Sequence, residues 1–138
     1  MFRHLPFAAA ALVLLSGIAA AAEPAKAPPG AAPFVHTVIF HLKKDAPADT
    51  AEKVIADCHV MLETIPTVRG VKAGRPAPEG ESTPKVAVRD YDVALVVFFD
   101  DAAGLKTYLN HETHLKFVST YQQYFDKVEV YDFADQKK

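Results

Sequence analysis

The sequence predicts an α+β fold with ferredoxin-like βαββαβ order, in which two helices cover one face of a four-stranded antiparallel sheet. Residues 34–42 and 127–133 alternate between the two faces with the period of two that strands require. Residues 93–99 are continuously apolar, as in an inner strand covered on both faces. After Ala51 and after Asp101, apolar residues recur at steps of three and four, which indicates amphipathic helices.

The first half of the predicted fold contains a strand, a helix and a second strand. The first strand covers residues 34–42. The helix begins near Ala51 and ends before Pro66, with these apolar residues on one side: Val54, Ile55, Cys58, Met61, Leu62 and Ile65. Cys58 is the only cysteine, and its place on that side predicts a buried, inert thiol and not an intermolecular disulfide. A weaker strand occupies residues 67–75.

The second half repeats this pattern after a loop. Residues 76–90 carry three prolines and therefore indicate a loop. The strand at 91–99 is followed by a helix that Asp101 caps and that Asn110, itself a good N-cap, is expected to restart. Beyond that break an apolar stripe is predicted along the helix: Leu115, Val118, Tyr121, Gln122 and Phe125. Residues 127–133 form the last strand.

Composition limits the classes of function. The chain has 138 residues, half of them apolar, which suits one domain with a packed core. The net charge is -2, and no basic run occurs beyond Lys137 and Lys138. Because phosphate backbones and anionic membranes require a positive patch, we expect no nucleic-acid partner.

The amino-terminal segment is expected to lie outside the fold. Residues 1–22 have a basic start, an apolar run and four small residues at 19–22, which together predict a cleaved signal peptide. An uncleaved anchor is the alternative, although the apolar stretch is short for a membrane span. Residues 23–33 carry four prolines and predict a linker, 34–133 the domain, and 134–138 a polar tail. The mature protein is therefore expected to be exported, periplasmic or secreted, without stable membrane insertion.

Both faces of the predicted sheet carry apolar residues. Ile39 and Phe40 point in opposite directions, as do Phe98 and Phe99. Two helices cover only one face, so the other would leave more apolar surface in water than a soluble monomer usually exposes. A symmetric homodimer that closes two sheets face to face would bury it. We take Val97 as a residue of that second face.

The stretch from Tyr108 to His114 is the strongest candidate for chemistry. Tyr108, His111 and His114 lie three residues apart and directly follow the longest apolar strand. A histidine within reach of a phenol can form a proton donor and acceptor pair for enolisation or aldol-type chemistry. The alternative is structural: His111 and Glu112 would be solvated in a first helical turn, while Tyr108 and His114 would fill the core.

The same histidines are poor candidates for a metal site. His111 and His114 resemble the zinc-binding helix only superficially, because that motif needs its histidines four residues apart on one face. His36 and His41 lie five apart on a strand, point to opposite faces and cannot chelate together. We therefore expect no metal ion and no other cofactor.

The chain resembles the stress-responsive alpha/beta barrel domain family, called Dabb, within the dimeric alpha/beta barrel group. The resemblance covers residues 34–133. It depends on four stretches taken together: FVHTVIFHLKK, IPTVRGVKAGRP, YDVALVVFFDDAAGLKTYLNHETHLKFV and VEVYDF.

The resemblance implies a homodimeric barrel with a small cavity between each sheet and its helices. In the plant polyketide cyclases of this family a tyrosine and a histidine act as acid and base, and these positions match Tyr108 and His114, with His111 between them. The first-strand histidine that often lines the cavity matches His36. Asp92 stands where the cyclases have another histidine, so the resemblance implies a different cavity charge and no transfer of the cyclisation reaction.

Three classes of function remain open at this point. The protein is expected to be a non-catalytic domain that houses a small apolar ligand. The alternatives are an enzyme acting on a hydrophobic carbonyl compound and a monooxygenase, cofactor-independent or haem-linked, as in related dimeric barrels. The size and lining of the cavity would separate them.

Overall fold

A computed structural model describes residues 32–80 and 84–136. The predicted signal peptide at 1–22 and most of the predicted linker at 23–33 lie outside these residues. The linker's last two residues, Ala32 and Pro33, lead directly into the first strand, and the main-chain oxygen of Pro33 accepts a hydrogen bond from the amide of Asp135.

Four strands form one antiparallel sheet. They are β1 (Phe34–Leu42), β2 (Gly70–Gly74), β3 (Val93–Phe99) and β4 (Phe125–Ala134). The order across the sheet is β2-β3-β1-β4, and each neighbouring pair is antiparallel. This is the ferredoxin-like arrangement that the sequence predicts.

In the described part of the chain, three α-helices accompany the sheet: α1 (Thr50–Val60), α2 (Ala102–Asn110) and α3 (Glu112–Tyr121). One 3₁₀ turn at Leu62–Thr64 follows α1, and another at Gln122–Tyr124 joins α3 to β4. The long second helix of the prediction is thus divided into α2 and α3.

The division occurs one residue later than expected. Asp101 caps α2 as predicted, and its carboxylate accepts from the amide of Gly104 at 2.8 Å. The cap of α3, however, is His111 and not Asn110: the His111 Nδ1 accepts from the amide of Thr113 at 3.2 Å. The Asn110 side chain instead donates to the carbonyl of Lys106 within α2.

The predicted apolar stripe of the last helix is partly wrong. Phe117 and Tyr121 are the buried side chains of α3, whereas Leu115 is more than half exposed. Phe125 belongs to β4. Because α3 begins only at Glu112, it is rotated relative to a helix continued from α2, and a different side of it meets the sheet.

The hydrophobic core lies between the helices and one face of the sheet. On β3 the odd-numbered residues, Val93 to Phe99, are completely or almost completely buried, and Val38 and Phe40 of β1 lie beside them. Val97 is therefore a core residue, which corrects its assignment to the bare face. Alternation places its neighbour Val96 there instead.

The opposite face of the sheet has no helix over it. Its apolar side chains are half-buried or exposed in the single chain: Val35, Ile39, Val96, Phe98, Tyr131 and Phe133. This is the surface that the homodimer prediction concerns.

Cys58 is completely buried on α1, as predicted, and burial raises the pKa of its thiol to about 12. Within the described ranges, no helix has the length and apolar character needed to cross a membrane.

Candidate functional site

A cavity of about 270 Å³ lies between the sheet and helices α2 and α3. The strands contribute side chains from the core-facing side, and the two helices supply the opposite wall. Nine of its thirteen lining residues are apolar. The full lining is His36, Val38, Phe40, Leu95, Tyr108, Leu109, His114, Phe117, Val118, Gln122, Phe125, Val128 and Val130.

Three of the polar lining residues cluster at one end. The Tyr108 ring lies 4.4 Å from the His114 ring and 5.9 Å from the His36 ring, measured between centroids. Gln122, the fourth polar lining residue, lies beyond the end of α3, in the 3₁₀ turn that leads to β4. The cavity is therefore polar at the His36 end and largely apolar elsewhere.

Tyr108 is held in the core, but its hydroxyl has no hydrogen-bond partner among the residues that the structure describes. Its side chain is 1% exposed and packs edge-on against Phe99, 5.2 Å between centroids. The hydrogen bonds among the described residues do not include its hydroxyl. Burial, with a smaller effect of Cys58, raises the pKa of Tyr108, so the phenol stays protonated at neutral pH.

His114 has its tautomer set by the main chain. Its Nδ1 lies 3.1 Å from the carbonyl oxygen of Leu109, which can only accept, so Nδ1 carries the proton. Nε2 is then the basic nitrogen of the neutral ring. Burial lowers the pKa of His114; the Leu109 hydrogen bond opposes this, and positive charge on His36 adds to it. Tyr108 and His114 thus lie side by side in the cavity, and their role as a proton donor and acceptor pair is still a prediction.

His36 is anchored by an acid that the sequence analysis did not single out. Its Nδ1 lies 2.6 Å from Oδ1 of Asp132, the residue opposite it on β4. His36 is 5% exposed, whereas the Asp132 side chain is partly open to solvent. The signal for Asp132 was the alternation of VEVYDF, but pairing it with His36 requires the β1–β4 register, which the sequence did not reveal.

The other two predicted site residues do not line this cavity. His111 uses its Nδ1 to cap α3. The Asp92 carboxylate accepts from the amide of Leu42 at 2.7 Å, at the far end of β1, where it fixes the start of β3. Each of these side chains has a structural partner, and their binding role is still a prediction.

Three other basic residues pair with acids outside this cavity. His41 points to the face opposite that of His36, as predicted, and its Nε2 lies 2.9 Å from Oε2 of Glu129. Arg69 and Arg75 form ion pairs with Asp100 and Glu52 respectively. Among the residues described, no group of three or more His, Cys, Asp or Glu side chains is placed to hold a metal ion.

Comparisons with known proteins agree with this architecture. The model of the stress responsive A/B barrel domain family matches residues 34–135. The chain has no match among curated proteins.

Several solved structures share the fold. A dimeric ferredoxin-like protein of unknown function from Thermobifida fusca is 20% identical, with a TM-score of 0.62 over 75% of this chain and 91% of that one. A Dabb family protein from Mesorhizobium loti is 23% identical, with a TM-score of 0.60 over 77% and 99%. The hydroxynitrile lyase from Passiflora edulis is 17% identical, with a TM-score of 0.62 over 78% and 97%.

Proposed function

Since the chain belongs to the stress responsive A/B barrel domain family, we propose that it is an exported, homodimeric domain that binds a small, largely apolar ligand. The cavity of about 270 Å³ carries this proposal. Its apolar wall favours an apolar body, and the few convergent polar groups at the His36 end would fix the ligand's orientation.

The homodimer part is supported by the bare face of the sheet. Tyr131 and Phe133 are each more than half exposed there, and Ile39, Val96 and Phe98 are only half-buried. Apolar surface of that extent usually marks an interface. Similar structures from Thermobifida fusca and Bacteroides fragilis are described as dimeric, which supports a second copy as the partner.

Ligand binding is tested by filling the cavity. Val118 lines it from α3, so Val118→Trp should abolish binding of a neutral probe such as 3-phenylpropanamide, measured by calorimetric titration. Ser119→Trp places the same ring on the exposed side of α3 and should bind the probe like the wild type. If Val118→Trp does not fold, Val130→Trp fills the cavity from β4. Equal binding by wild type and a folded cavity-filled variant would refute a ligand in this cavity.

Export is supported by the basic, apolar and small-residue order of residues 1–22. The mature protein should begin near Glu23. The intact mass of protein recovered from its native host measures this, and a soluble cytoplasmic form that retains residues 1–22 would contradict it.

A proton-transfer enzyme is the second candidate, because the rings of Tyr108 and His114 lie 4.4 Å apart in the cavity and the Leu109 contact leaves Nε2 as the basic nitrogen of His114. The Passiflora edulis hydroxynitrile lyase indicates a suitable assay, cyanide release from a hydroxynitrile. If His114 is the base, His114→Gln should lower any measured rate about 10²- to 10⁴-fold. His59→Gln, on α1 and outside the cavity, is the control. Equal rates in both variants would exclude His114 as a base.

A further inference from the structure

His36 lies between the cavity and the carboxylate of Asp132. His36 lines the cavity, but Asp132 does not. The Asp132 carboxylate accepts a hydrogen bond from Nδ1 of His36, so Nε2 is the nitrogen left for a ligand. Asp132 and the ligand would therefore contact different nitrogens of the same ring. When the ring is protonated, its charge is balanced by Asp132 while the Nε2–H remains available.

This end of the cavity has no competing negative charge. None of the thirteen lining residues is Asp or Glu, and none is Lys or Arg. His114 tends to the neutral form, since burial lowers its pKa. His36 is therefore the one lining group that combines a buried position with a carboxylate partner outside the cavity.

We propose that His36, backed by Asp132 and beside Tyr108, forms an anion-receiving end, so that the cavity takes an apolar monocarboxylate with its carboxylate toward His36 Nε2. The Tyr108 hydroxyl is a second donor, with its ring 5.9 Å from that of His36. The apolar body of the ligand lies along Val38 and Phe40 toward Phe125. Asp132 is a positioning residue, because it acts through His36. This proposal rests on the proposed ligand-binding function.

The test compares two probes of the same shape, 3-phenylpropanoate and 3-phenylpropanamide, titrated by calorimetry at about pH 6, where histidine is readily protonated. The wild type should bind the carboxylate at least about tenfold more tightly than the amide, the ratio expected from one charge-assisted hydrogen bond. Asp132→Asn should lose that preference and change the amide affinity by less than about twofold. A purely structural cross-strand pair would alter stability and leave the ratio unchanged.

The chain offers a matched control on the opposite face of the sheet. Glu129→Gln breaks the other histidine–carboxylate pair, with His41, outside the cavity. It should leave both affinities unchanged, with sedimentation confirming the same oligomeric state as the wild type. If Asp132→Asn does not fold, His36→Gln tests the same preference, and the wild-type ratio decides in either case.

The outcomes separate this inference from the proposed function. Equal affinity of the wild type for both probes overturns the anion-receiving end but keeps a ligand cavity. If Asp132→Asn binds the carboxylate probe as tightly as the wild type, Asp132 contributes nothing to binding, and its positioning role is overturned. Tighter binding by the variant overturns it too, because Asp132 would then repel the ligand. Binding of neither probe overturns the ligand cavity and this inference with it.

Discussion

Two buried tyrosines allow a direct test of whether the cavity keeps a hydroxyl for a ligand. Tyr108 and Tyr121 are 1% and 6% exposed. The Tyr121 hydroxyl donates to Oδ2 of Asp57 at 2.7 Å, whereas no described residue bonds the Tyr108 hydroxyl. Replacing each by Phe keeps the ring and its packing and removes only the hydroxyl, so the pair isolates the value of that one group.

The two substitutions should differ clearly in their effect on stability. Tyr121→Phe loses a hydrogen bond to a charged acceptor and should lower the free energy of unfolding by about 1–3 kcal/mol. Tyr108→Phe loses no hydrogen bond to a described residue, so we expect its free energy of unfolding to change by less than about 0.5 kcal/mol.

Urea denaturation followed by circular dichroism measures both values, with equal slopes confirming that the two variants unfold from the same kind of folded state. The probe titrations described above are repeated on the same samples. Tyr108→Phe should bind the carboxylate probe more weakly despite its intact stability. A loss of stability as large as that of Tyr121→Phe would show that the hydroxyl serves the fold, and the cavity argument would lose its second donor.

Three further predictions concern other parts of the molecule. Val96→Asp should give a folded monomer by sedimentation, whereas Val97→Asp should unfold the protein because Val97 is completely buried; dimeric Val96→Asp would contradict the interface. Cys58, with a pKa raised to about 12, should resist iodoacetamide until the protein is unfolded, and rapid labelling of the native protein would show an open core. Burial lowers the folded-state pKa of His114, so its contribution to the free energy of unfolding is present above pH 6.5 and is lost as the pH falls through the folded-state pKa. His114→Gln should therefore make the free energy of unfolding less dependent on pH in that range. The same pH dependence in the variant and the wild type would contradict the burial of His114.

Local patterns were sufficient for most of the fold. Period-two and helical repeats identify the four strands and the helical segments, and alternation separates Phe40 from Ile39 and Phe99 from Phe98. The wrong choice of Val97 for the bare face arose because 93–99 is apolar on both sides. Only the helices, which contact the odd-numbered residues, distinguish its two faces.

The part of the candidate site that is local in sequence could be predicted. Tyr108 and His114 are close in sequence, so a helix break between them is enough to place both at one cavity. The break itself needed the cap geometry: His111 competes with Asn110 for the role of N-cap, and its ring nitrogen forms the bond to Thr113.

Asp132 could not be found in this way, since it is 96 residues from His36 along the chain. Its position depends on the β1–β4 register, in which His36 faces Asp132, Val38 faces Val130 and Phe40 faces Val128. A shift by one residue would turn Tyr131 or Phe133 toward the cavity and Asp132 toward the bare face. That register therefore determines both surfaces at once: it supplies the acid behind His36 and leaves the aromatic residues of β4 for a second copy of the chain. Any variant that disturbs β4 pairing should consequently affect ligand binding and dimerisation together, whereas Val118→Trp and Val96→Asp should each affect only one.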